Sequence, residues 1–149
     1  MRIFVDADAC PVKQEIYRVA DRLELEVTVV ANSFLNVPAD PLVTLAVVAE
    51  GIDAADDWIV DHVRENDIVI TGDIPLAARS LRNGALVLGF GGKAFTHENI
   101  GDALATRGLL SDLRDRGEVS GGPAPFDKRD RSRFLQSLDS LIQQIRRDR

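Results

Sequence analysis

The chain has 149 residues, 45% hydrophobic and 28% charged, a composition that fits one globular domain with a full core and excludes a disordered tract. Eighteen basic residues against 24 acidic ones leave a formal charge of −6, which excludes a generally cationic nucleic-acid coat but leaves room for local patches. One cysteine, with His62 and His97 as the two histidines, excludes a disulfide framework, a Cys-only zinc site and a zinc finger.

The first apolar run is short and meets Asp6 and Asp8 at once, unlike a signal peptide. No 18-residue apolar stretch follows, so a cytoplasmic protein with no membrane partner is expected. Residues 2–6 (RIFVD) predict a strand. Pro11 opens a helix in which Ile16, Val19, Ala20 and Leu23 recur at the helical period. Residues 25–31 predict a second strand. Residues 34–41, with Asn36, Pro38 and Pro41, predict a loop, and 43–49 a third strand in preference to a short apolar helix.

Residues 54–65 predict a helix with Trp58, Ile59, His62 and Val63 on its inner stripe. A strand is expected at 68–73, a helix from Pro75 through Arg82 closed by Asn83-Gly84, and a strand at 85–90. These strands are almost continuous apolar runs, as in a sheet covered on both faces. Their alternation with helices predicts a mostly parallel α/β sheet. Helices at 97–116 and 131–147 flank a Gly-Gly-Pro turn at 121–123. Residues 127–149 hold seven basic and four acidic residues, net +3, against −9 for the remainder. The expected organisation is a single domain over 1–149, an α/β core at 1–126 with a basic helix at 127–149 packed on it. That helix is either a phosphate-facing patch or an amphipathic helix docked through Phe134, Leu138, Leu141 and Ile145.

In an open α/β sheet, ligands bind outside the carboxyl ends of the strands. Asp6 and Asp8 follow the first strand, Asp73 follows the IVIT strand, and Asp53, Asp56 and Asp57 open the helix after the third apolar run. Each acid alone reads as a helix cap or a first-turn acid. Together on one sheet edge they repel one another unless a cation intervenes. Hard oxygen donors of this kind suit Mg2+ or Mn2+, which activate water and stabilise an in-line phosphoryl displacement. Lys13 stands where it would reach a phosphate, and Asn32 ends the second strand, either orienting substrate or only closing the strand. Cys10 reads as a packed thiol, His62 and His97 as structural or solvent-facing, and Trp58 as core. GFGG at 89–92 lacks the GKS/T of a P-loop.

DADACPVK (6–13), VAN (30–32), DAAD (53–56), DIVITGDIPLAA (67–78), GGP (121–123) and RDR (129–131) resemble the YaiI/YqxD family of small uncharacterised proteins, usually grouped with PIN-like ribonuclease folds. The resemblance implies a three-layer α/β/α sandwich, PIN-like, with C-terminal helices and an acidic metal cluster of Asp6, Asp8, Asp56 and Asp73. It favours Asp56 over Asp57 as the middle ligand, with Asp53 left open. Thr71 resembles the hydroxyl that PIN-like sites place two residues before the last acid. After the fifth strand, relatives typically carry a basic, proline-containing stretch; here GFGGKAF (89–95) leaves Lys93 as its one cation.

The leading expectation is a metal-dependent phosphodiesterase acting on nucleic acid, RNA before DNA. Lys13, Asn32, Thr71, Arg129 and Arg131 would serve the substrate. Competing expectations are a catalytically silent RNA- or protein-binding module and an aspartyl-nucleophile phosphatase using Asp6. A homodimer or a protein partner is left open.

Overall fold

The computed structural model describes residues 1–49, 51, 53–115 and 126–148. The order of elements is β1 (Arg2–Asp6), α1 (Lys13–Leu23), β2 (Glu26–Ala31), β3 (Val43–Val47), α2 (Ala54–His62), β4 (Ile68–Ile70), α3 (Ile74–Arg82), β5 (Leu86–Leu88), β6 (Ala94–Phe95), α4 (Ile100–Asp115) and α5 (Lys128–Arg147). The strands form one sheet in the order β3-β2-β1-β4-β5-β6, parallel throughout except for β6, which runs antiparallel to β5.

Side chains alternate across the sheet and divide the core into two layers. Ile3, Val5, Val27, Val29, Ile68 and Ile70 face α1 and α5, joining Ile16, Val19, Phe134, Leu138 and Ile142. Phe4, Val30, Val69 and Val87 face the other way, onto Ala55 and Ile59 of α2 and Leu76, Ala77 and Leu81 of α3. Helices on both faces of a mostly parallel sheet make a three-layer α/β/α sandwich, as expected.

Several boundaries differ from the sequence reading for local reasons. β4 ends at Ile70, because Thr71 to Asp73 leave the ladder to start α3: the Asp73 carboxylate accepts the Leu76 amide N–H at 3.0 Å as its N-cap. α1 begins at Lys13, two residues past Pro11. α5 begins at Lys128 rather than 131, held by a capping box between Asp127 and Asp130. The GFGGKAF segment contains the short strand β6, which its glycines concealed. Trp58 is half-buried, and His62 is exposed and stacked on the indole at 3.7 Å between ring centroids. The Gly-Gly-Pro turn at 121–123 lies outside the described residues. Among the described residues, no helix is long and apolar enough to cross a membrane.

At the amino end of the sheet, buried Asp67 ties β1 to β4. It accepts the Arg2 amide at 3.0 Å, the Arg2 guanidinium at 2.8 Å and the Arg64 amide at 2.9 Å. The carboxyl end carries Asp6, Asp8, Asp53, Asp56 and Asp73.

Candidate functional site

The strand order reverses between β1 and β4, so the crossovers diverge there and open a crevice at the carboxyl ends of the strands. A cleft of about 640 Å³ lies at this end, lined by Asp6, Asp8, Asn32, Asp53, Asp56, Asp73 and Arg107, with Gly72 and Phe90 beside them. That volume is within the usual range for small-ligand sites. Four expected acids therefore share one cavity, and Asp53 joins them. Asp57 instead pairs with Arg79 at 2.9 Å.

Local structure aims these groups. β1 delivers Asp6, and β4 delivers Thr71 beside it. The Thr71 hydroxyl donates to Asp6 Oδ2 at 2.7 Å and accepts the amide N–H of Asp73 at 2.9 Å. Thr71, expected at the substrate, is fully buried: its proton is committed to Asp6, and it positions the acids from beneath. Ala9 and Asp53, both on the cleft, have φ of 63° and 62°, a left-handed backbone that non-glycine residues adopt at some cost in energy. At Gly72 an added Cβ would stand 2.8 Å from the Phe90 ring, so that wall needs glycine for close approach.

The electrostatics follow from crowding. The Asp6 carboxyl is raised above its ordinary value, first by burial; the Thr71 hydrogen bond lowers it, and the Asp73 and Asp8 charges raise it. The Asp56 carboxyl is pushed up to about 6 by burial and by the charges of Asp73, Asp6 and Asp53, with Arg79 opposing. Cys10 is buried and its thiol is pushed up to about 11, chiefly by burial, which makes it a packed thiol and a poor nucleophile.

The donor set is all oxygen, the chemistry that Mg2+ and Mn2+ select. Its geometry is open: among the described residues no three His, Cys, Asp or Glu side chains are grouped to hold a metal ion as they stand. The carboxylates sense one another's charge without forming a closed shell.

The other expected substrate contacts divide. Asn32 is exposed on the cleft. The Lys13 ammonium donates to the Ala7 carbonyl at 3.4 Å, against the loop that carries Asp6 and Asp8. Arg129 is exposed in the first turn of α5. Arg131 is not on the cleft: its Nη1 donates to the Pro11 carbonyl at 2.6 Å and to Glu15 Oε1 at 3.3 Å, and its guanidinium lies over Phe126. It fastens α5 to the start of α1.

α5 docks through Phe134, Leu138, Ile142 and Ile145, with Ile142 taking the fully buried place expected for Leu141. Sequence reasoning missed Arg107 and Phe90. Arg107 stands on α4 with no acid-edge or motif signal near it, and only the packing of α4 on α3 brings it to the cleft.

Comparison with known proteins identifies the family. Residues 4–144 match the family described as "Uncharacterized BCR, YaiI/YqxD family". The chain is 54% identical over 148 residues to a UPF0178 protein of Rhodopseudomonas palustris strain TIE-1, covering 99% of this chain and 94% of the relative. It is 55% identical to one from Bradyrhizobium sp. strain ORS 278 (99% and 90% covered) and 53% identical to one from Nitrobacter winogradskyi (99% and 94%). No solved structure matches it. Since both the family match and these identities run along nearly its whole length, the chain belongs to the uncharacterised YaiI/YqxD family.

Proposed function

We propose that this protein is a divalent-metal-dependent phosphodiesterase with a PIN-like site, acting on nucleic acid and on RNA before DNA. The observation that carries the reading is the convergence of Asp6, Asp8, Asp56 and Asp73 on one cleft at the strand-order reversal, with Asp6 and Asp56 raised partly by mutual repulsion. Carboxylates crowded in this way favour a cation between them. Mg2+ or Mn2+, held by those four, would supply Lewis acidity and a water of lowered pKa.

The chain's own groups supply the rest. Thr71 fixes Asp6 and Asp73 relative to each other through one hydroxyl. Lys13, seated on the Ala7 carbonyl, holds positive charge at the rim where a phosphate would approach. The Asn32 amide offers a donor and an acceptor to substrate from the end of the neighbouring strand β2. Arg129, exposed on α5, offers a more distant backbone contact.

The test is calorimetric titration of Mg2+ and Mn2+ into wild type and Asp6→Asn/Asp73→Asn, followed by hydrolysis assays on single-stranded RNA and DNA. Asparagine caps a helix as well as aspartate, so α3 keeps its start in the double variant. Saturable binding in wild type that is lost in the variant is the expected result; equal affinity in both ends the proposal. The open arrangement of the acids favours one second reading, a catalytically silent RNA-binding module. Metal-independent RNA binding without cleavage would establish that reading instead.

A further inference from the structure

We infer that Arg107 is the phosphate-receiving residue of this cleft, gripping one phosphate of a single-stranded nucleic acid opposite the acids. The inference rests on the hydrolase reading and adds to it a residue and a mode of substrate binding. Among the described residues, Arg107 is the one basic side chain lining the cleft, and it reaches there from α4 while the five aspartates arrive from the sheet edge and α2. It is exposed, and among the described side chains no ion pair joins it to a cleft aspartate. An arginine beside five carboxylates would ordinarily pair with one of them.

This one pairs with none of the five, although it lines the same cleft. A guanidinium and an acidic wall therefore face each other across a gap. The group that fits such a gap is anionic towards the arginine and bridges through a cation towards the acids, as a metal-bound phosphate does. The planar fork of the guanidinium matches two phosphate oxygens at once.

The same count restricts the substrate. Among the described residues, one cleft arginine and Lys13 beside the Ala7 carbonyl are fewer cations than a long duplex uses, since its affinity comes from many phosphate contacts. The cleft suits a short or terminal single-stranded segment. Each phosphate contact on a single strand contributes about −0.7 to the slope of log affinity against log salt.

The experiment measures anisotropy of a short fluorescein-labelled single-stranded RNA across a salt series, with Ca2+ in place of Mg2+ to slow cleavage. Wild type, Arg107→Ala and Arg107→Lys are compared, each also titrated with Mn2+ by calorimetry. Arg107→Ala should bind the RNA about tenfold or more weakly, with a slope shallower by about 0.7 and Mn2+ affinity unchanged. Arg107→Lys should recover the slope but not the full affinity, since it restores the charge and not the fork.

Wild-type RNA affinity and slope in Arg107→Ala, with Mn2+ binding intact, would overturn the inference and leave the hydrolase reading standing. So would wild type that binds Mn2+ and not the RNA. Loss of Mn2+ binding together with a lowered unfolding temperature in Arg107→Ala would make the arginine structural and overturn it too. Failure of wild type to bind Mn2+ at all removes the hydrolase reading, and this inference falls with it.

Discussion

A single hydroxyl stands under the acidic cleft. Thr71 gives its proton to Asp6 and accepts the Asp73 amide, so Thr71→Val would strand a buried carboxylate oxygen and an amide N–H together. The expected loss is about 1–3 kcal/mol in urea unfolding, with Thr71→Ser close to wild type. Asp56 makes the opposite case, a charge that opposes folding. Its carboxyl holds a proton up to about 6, against an ordinary value of 3.8. Between those values the folded chain keeps a proton that the unfolded chain has released, so stability falls as pH rises through the window. Asp56→Asn should therefore be more stable than wild type above about pH 7, by about 1 kcal/mol once solvent screening is allowed for, with the gain vanishing below about pH 4. Thermal unfolding in EDTA across that range measures it; a gain that persists at low pH would disprove the charge origin.

The aspartates were legible in the sequence because a strand end announces itself locally. Arg107 was not, because its placement depends on how α4 lies against α3, a tertiary fact that no local pattern encodes.

At the scale of elements, α5 shows how a basic helix can use its charge internally. Arg131 binds Pro11 and Glu15, Arg22 of α1 pairs with Asp139 at 2.8 Å, and Arg146 donates to the Leu23 carbonyl at 2.8 Å. All three bind α5 to α1 around the buried Phe134, Leu138 and Ile142. Net charge alone could not separate docking from phosphate binding; the contacts favour docking. The clearest contrast is within one turn. Arg131→Ala leaves the buried Glu15 without its described partner and should cost about 1–2 kcal/mol, while exposed Arg129→Ala should change stability by less than about 0.5 kcal/mol. Equal effects in chemical denaturation would refute the clamp. The strand limits were read too long where apolar residues continue past the last ladder pair, as at 43–49, where β3 ends at Val47, since hydrophobicity marks burial and not hydrogen bonding.

At the scale of the whole molecule, the sheet order and the acidic cleft are one fact, because the reversal between β1 and β4 opens the crevice that the acids line. Alternating apolar runs and helices were enough to indicate three layers; which strand ends meet follows from the pairing of β1 with β4, which lies beyond the reach of periodicity. A cation that bound only the folded chain would raise the unfolding free energy with the logarithm of its concentration, by about 2.7 kcal/mol at a hundredfold excess over Kd, and the unfolding temperature with it. Mn2+ should do this for wild type and fail for Asp6→Asn/Asp73→Asn in thermal melts.

The pairing of β1 with β4 also has a consequence in time. Asp6 meets Thr71 only after 65 further residues have been joined to the chain. At about 5–20 residues per second of synthesis, the first strand waits roughly 3–13 s for one of its two neighbours, and longer while that neighbour clears the ribosome. During that interval the strand Ile3–Val5 has β2 on one edge and bare backbone on the other. A nascent chain stalled before Ile68 would expose this apolar edge and carry no assembled cleft. The acid site is thus among the later structures to form in the newborn protein, although its first residue is among the earliest made.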